Sequence, residues 1–112
     1  MSYKIKSRIW IETNNNVLLG EGRVQLLKEI EKTGSLSKAA KELKMSYKKA
    51  WTMVDSINKS AKEEVITKVV GGQGGGGAKI TTYGKKLMAI FDDINSNCWV
   101  FLDEQLKKLD NL

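Results

Sequence analysis

At 112 residues, 41% apolar and 29% charged, the chain suits one globular domain with a modest core, and its lack of any long apolar run excludes a transmembrane helix. With no histidine and one cysteine, Cys98, it can form neither a Ser/His or Cys/His nucleophile nor an internal disulfide framework, so the expectation is a non-enzyme of the reducing cytoplasm. The net charge of +6 is segregated: residues 35–60 carry +4 and residues 61–86 carry +3, whereas residues 87–112 carry −3, which would draw a polyanion to the middle and repel it from the tail.

The opening residues, MSYKIKSRIW, lack the apolar core of a signal peptide. Residues 3–12 alternate with Ile5, Ile9 and Ile11 on one side, a period-two pattern that predicts a strand. The turn cluster Thr13-Asn14-Asn15-Asn16 and the short apolar Val17-Leu18-Leu19 then complete a β-hairpin over residues 1–19. After Gly20-Glu21-Gly22, residues 23–33 place Val24, Leu27 and Ile30 along one helical face. Gly34 stands where a helix end needs positive φ.

Residues 35–58 predict two helices joined by a tight turn. In the first, Leu36, Ala39, Ala40 and Leu43 share a face, with Lys38 and Lys41 turned away and Ser35 placed as N-cap. Lys44-Met45-Ser46 breaks the pattern, and Ser46 can cap a second helix starting at Tyr47. Ala50, Met53 or Val54, and Ile57 form its inner stripe, leaving Tyr47, Lys48, Lys49, Trp51, Thr52 and Asp55 elsewhere. Small residues between steeply crossing helices, preceded by a supporting helix, make a helix-turn-helix whose second helix is expected to enter a DNA major groove. Alanines inside and lysines outside also occur in ordinary helical hairpins. The cationic and aromatic outer face, the caps and the turn length favour DNA.

The segment after Ile57, NKSAKEE, reads as a polar connection. VITKVV then predicts a strand, GGQGGGGA (71–78) a loop, and Lys79-Ile80-Thr81 a returning strand, so residues 65–81 form a hairpin placed as the wing of a winged helix. The glycine run lacks the GK[ST] ending of a P-loop and leads into a strand, which excludes nucleotide binding of that type. Glycines 74, 75 and 76 would let backbone lie against DNA phosphates, with Lys68 and Lys79 flanking the approach. From 82 to 109 the apolar residues recur at threes and fours: Leu87, Ile90, Phe91, Ile94, Cys98, Phe101, Leu102. Thr81 is placed to cap that helix. A stripe this long exceeds what one small domain can cover, which predicts a dimerisation helix using Leu87, Phe91, Ile94, Cys98, Phe101 and Leu102.

Gly22-Arg23 with Leu26-Leu27, GSLSKAAKELKMSYKKAW and GGQGGGGAKITTYGKKL together resemble the N-terminal DNA-binding domain of the ModE molybdate-responsive transcription regulators. GSLSKAAKEL and the Thr81-x-x-Gly84 step are more distantly similar to the LysR-type regulators. The resemblance implies an α+β winged helix-turn-helix that dimerises through its long helix and binds operator DNA. Tyr47, Lys48 and Thr52 would face the groove, Ser46 and Lys49 the phosphates, and Gly74, Gly75 and Gly76 the flanking backbone. Trp51 either faces DNA or covers the core. The family's C-terminal molybdate-binding modules find no counterpart before Leu112. The expectation is therefore a DNA binder without a cofactor, acting alone or taking its signal from a separate effector-binding protein. The rival is a small molybdate or oxyanion binder using the glycine-loop amides.

Overall fold

The computed structural model describes residues 2–14, 16–69 and 77–112. The hairpin at the start is short: β1 (Ile11–Thr13) pairs antiparallel with β2 (Asn16–Leu19), with a register shift after Ile11 and Asn14 in the left-handed region at φ 51°. Residues 2–10, expected to extend this hairpin, belong to no strand. Their alternation survives, with Ile5, Ser7 and Ile9 half-buried and Lys4, Lys6 and Arg8 exposed. What covers the inner face is the C-terminal helix: Ser7 Oγ lies 3.6 Å from Cys98 Sγ, and Ser7 to Ile9 line a small hollow with Phe91, Asn95 and Trp99. Period two reports extended backbone with one face covered, and a helix covers it as well as a strand does.

The first helix, α1 (Glu21–Thr33), starts two residues before the expected Arg23, with Glu21 in the first turn where the helix dipole favours an acid. It ends at Gly34, whose φ of +69° lets its N–H reach the Ile30 carbonyl at 2.7 Å. The second, α2 (Leu36–Glu42), is capped by Ser35, which accepts from Lys38 N at 3.2 Å. Lys44 at φ +56° makes the turn, and α3 (Tyr47–Ser60) follows, capped by Ser46 accepting from Lys49 N at 3.1 Å. The apolar faces converge: Val24, Leu26, Leu27 and Ile30 meet Leu36, Ala39 and Ala40, then Ala50, Val54 and Ile57. The alanines, almost fully buried, let α2 and α3 approach closely at their crossing.

Strands β3 (Ile66–Val69) and β4 (Gly77–Ile80) pair antiparallel, with Ile66 opposite Ile80 and Lys68 opposite Ala78. They are tied into the domain by Ala78 N donating to the Gly34 carbonyl at 3.0 Å and by buried Ile66, Ala78 and Ile80. Helix α4 (Thr82–Gln105) is capped by Thr81, whose Oγ1 accepts from Gly84 N at 2.9 Å; a short α5 (Lys107–Asp110) follows. Gly84 is required by contact: a Cβ there would lie 2.6 Å from the Val65 carbonyl oxygen. Twenty-four residues make α4 about 36 Å long, and only its first half, through Met88 and Phe91, is buried in the core. The rest projects. The molecule measures 62 × 29 × 22 Å, with a radius of gyration of 17.1 Å against about 13 Å for a compact chain of this length.

The whole is an α+β winged helix: a trihelical core, a two-stranded wing beside its third helix, and a long terminal helix.

Candidate nucleic-acid interface

Burying Ala50, Val54 and Ile57 fixes the rotation of α3 and turns the opposite side to solvent. Tyr47 is 54% exposed and Trp51 41%, and Lys48, Lys49 and Thr52 are exposed beside them. Asp55, the one acid of α3, forms a 2.9 Å ion pair with Lys59, so it subtracts little from the positive field of the first turns. Ser46 spends one oxygen lone pair on the cap and keeps its O–H as a free donor at the helix N-terminus, where backbone amides and dipole favour an anion. Thr52 is committed differently: its hydroxyl donates to the Lys48 carbonyl at 2.9 Å, leaving its lone pairs outward.

The wing stands against this helix through contacts of its first strand. Asn58, in the last turn of α3, accepts from Val65 N at 2.8 Å and Ile66 N at 3.1 Å, and donates from Nδ2 to the Ile66 carbonyl at 2.9 Å. On the far side, Thr81 N donates to the Val65 carbonyl at 2.9 Å and Thr81 Oγ1 to the Glu64 carbonyl at 2.6 Å. The start of β3 is thus held from both sides. Ile66 and Lys68 share one face of the strand; Ile66 enters the core, and Lys68, beyond its edge, sets its Nζ 5.6 Å from the centroid of the Trp51 ring. Trp51 is therefore no cover for the core; it projects from α3 toward the first strand of the wing.

Asn58 went unrecognised in the sequence, where it opens the polar run NKSAKEE and nothing separates it from a solvated connector. Only the fold brings a strand's free amides within its reach.

The structure also divides the expected sites. Lys79 lies opposite Thr67 rather than Lys68. It therefore stands on the other face of the wing, and the two lysines do not flank one approach. Gly74, Gly75 and Gly76 lie outside the described residues. On α4, Phe91 is 3% exposed and packs within its own chain, and Leu87 is half-buried against the same core. Both are removed from the expected dimer face, because the first half of α4 is needed to close the domain. Cys98 and Leu102 are half-buried, Cys98 beside Ser7. Ile94 and Phe101 remain open at 45% and 61%, joined by Ile90 at 53%, which lies on the same side by helical spacing.

Arg23 anchors the hairpin to α1 by donating to the Val17 carbonyl at 2.7 Å, and partial burial lowers its pKa from the usual guanidinium range. Among the described residues no cluster of three His, Cys, Asp or Glu could hold a metal ion, and no helix is long and apolar enough to cross a membrane.

No family model matches the chain. Over 106 residues it is 33% identical to the molybdenum transport protein ModE of Azotobacter vinelandii, a match that covers 95% of this chain and 39% of that protein. Over 70 residues it is 40% identical to the DNA-binding transcriptional dual regulator ModE of Escherichia coli K12, covering 62% of this chain and 27% of the regulator. The chain therefore spans less than half the length of the curated relatives it matches. Among solved structures, ArgP from Mycobacterium tuberculosis superposes with a TM-score of 0.51 at 16% identity, covering 83% of this chain and 31% of ArgP. At that identity the likeness speaks for the fold alone.

Proposed function

From the premise that this chain is homologous to the N-terminal part of the ModE transcriptional regulators, we propose that it is a sequence-specific DNA-binding transcription regulator acting as a dimer. The observation that carries the reading is the solvent-facing side of α3. Tyr47, Lys48, Lys49 and Thr52 stand clear of the core, and the only acid on that helix is neutralised by its neighbour. Tyr47, Lys48 and Thr52 read base edges in the major groove, while Ser46 and Lys49 grip phosphates at the helix N-terminus. The open stripe of Ile90, Ile94 and Phe101 meets its copy across a twofold axis, which would present two recognition helices to successive turns of the duplex.

The test is selection of bound duplexes from a random-sequence pool, followed by titration of the selected duplex at several salt concentrations. Affinity is expected to fall steeply with salt as condensed counterions are released, and Lys48→Ala and Lys49→Ala each to weaken binding. Enrichment of no duplex, or unchanged affinity in both variants, defeats the proposal.

A further inference from the structure

The contact between Trp51 and Lys68 has a consequence for how the wing would act. A surface lysine on a free strand samples many rotamers, and fixing it on a phosphate costs that freedom. Here the strand itself is held at Val65 and Ile66 by Asn58, and the side chain is drawn over an indole face anchored on α3. No carboxylate among the described residues pairs with Lys68, so its charge is uncommitted. An ammonium over a ring keeps N–H donors pointing away from that ring, available to a phosphate oxygen.

We propose that Trp51 is a positioning residue that acts through Lys68, holding its ammonium beside α3 so that the wing's first strand delivers one charge to the phosphate bordering the groove. This rests on the DNA-binding reading above. It assigns Trp51, which carries no charge, a share in the salt dependence of binding. It also makes the recognition helix and the wing a single recognition unit rather than two independent contacts.

The experiment uses the full chain and the duplex it selects, comparing wild type with Lys68→Gln, Trp51→Leu, Trp51→Phe and the Trp51→Leu/Lys68→Gln double variant. Each is titrated over a range of salt, with far-UV circular dichroism as the check on folding. Lys68→Gln is expected to weaken binding and to reduce the magnitude of the log–log salt slope by about one. Trp51→Leu should lower the slope in the same direction, which loss of packing alone would not do. Trp51→Phe keeps a ring face and should restore most of the slope. The double variant should be no weaker than Lys68→Gln by more than about twofold, with a two- to fivefold departure from multiplicative losses, the range for an exposed cation–ring pair. A Trp51→Leu slope equal to that of wild type, or losses that simply multiply, overturns the proposal. Failure of wild type to select any duplex is a separate result, because it removes the DNA reading on which the proposal stands.

Discussion

Replacing Asn58 with alanine tests whether the wing is held by chemistry or merely by chain connection. The side chain serves two backbone amides, those of Val65 and Ile66, whose residues are 0% and 4% exposed. It also serves the Ile66 carbonyl. Removing it leaves two donors and an acceptor unserved, each costing about 1–3 kcal/mol if water cannot reach it. Asn58 itself is only half-buried, so the space left by truncation admits water to part of the site. A total loss of about 2–4 kcal/mol follows, a large share of the roughly 5–15 kcal/mol of a typical domain. For a chain of this size it lowers the melting temperature by roughly 8–16 °C. Asn58→Asp should fall between, because its carboxylate still accepts from both amides but faces the Ile66 carbonyl without a proton to donate. Urea unfolding at matched protein concentrations gives the free energies. Amide exchange at Val65 and Ile66 shows whether the loss is local. An alanine variant within about 0.5 kcal/mol of wild type, with those amides still protected, refutes the reasoning.

Gly84→Ala should destabilise the fold although alanine is the better helix former by about 1 kcal/mol. The new methyl would press on the Val65 carbonyl, itself fixed by Thr81 N, for a net loss of roughly 1–2 kcal/mol in the same unfolding assay; a raised melting temperature would contradict this. Ser46→Ala removes the cap on α3 and should cost about 1 kcal/mol, whereas Ser46→Asp, which keeps an acceptor there, should retain most of the stability. Phe101→Glu is expected to leave the domain folded, since its ring is 61% exposed, while sedimentation shows the mass falling from dimer to monomer. Equal masses for wild type and variant count against the open stripe as the dimer face.

What the sequence made legible was local. Ser35, Ser46, Thr81 and Gly34 stand where their chemistry predicts, because a cap is decided by a residue and its next three or four neighbours. The α3 face was readable for the same reason: period 3.6 sorts Ala50, Val54 and Ile57 from Lys48 and Thr52 before any partner is known. What escaped depends on pairings between distant segments. Lys68 and Lys79 look equivalent along the chain, and only the register that sets Lys79 against Thr67 puts them on opposite faces. Residues 2–10 show that one side is covered without showing that α4 covers it. Asn58 matters only because a strand eight residues on presents its amides there.

The division of α4 carries the same distinction into function. Periodicity made one stripe of Leu87, Phe91, Ile94 and Phe101, but helix length and core size divide it between two tasks. A core built on three short helices and a two-stranded wing is closed once Met88 and Phe91 are seated, so later turns pass beyond it. Those turns carry both the open apolar residues and the acids of the −3 tail, including Asp103 and Glu104, whereas the +4 segment lies in the helix-turn-helix and the +3 segment in the wing and the opening turns of α4, where Lys85 and Lys86 stand. The long axis of 62 Å is many times the Debye length of about 8 Å at physiological ionic strength, so the two poles hardly screen each other. On the proposed function, a duplex approaching the molecule is attracted at one end and repelled at the other. On that reading the helix proposed as the dimer face would also orient the domain, and separating its buried from its projecting half would be a condition for both.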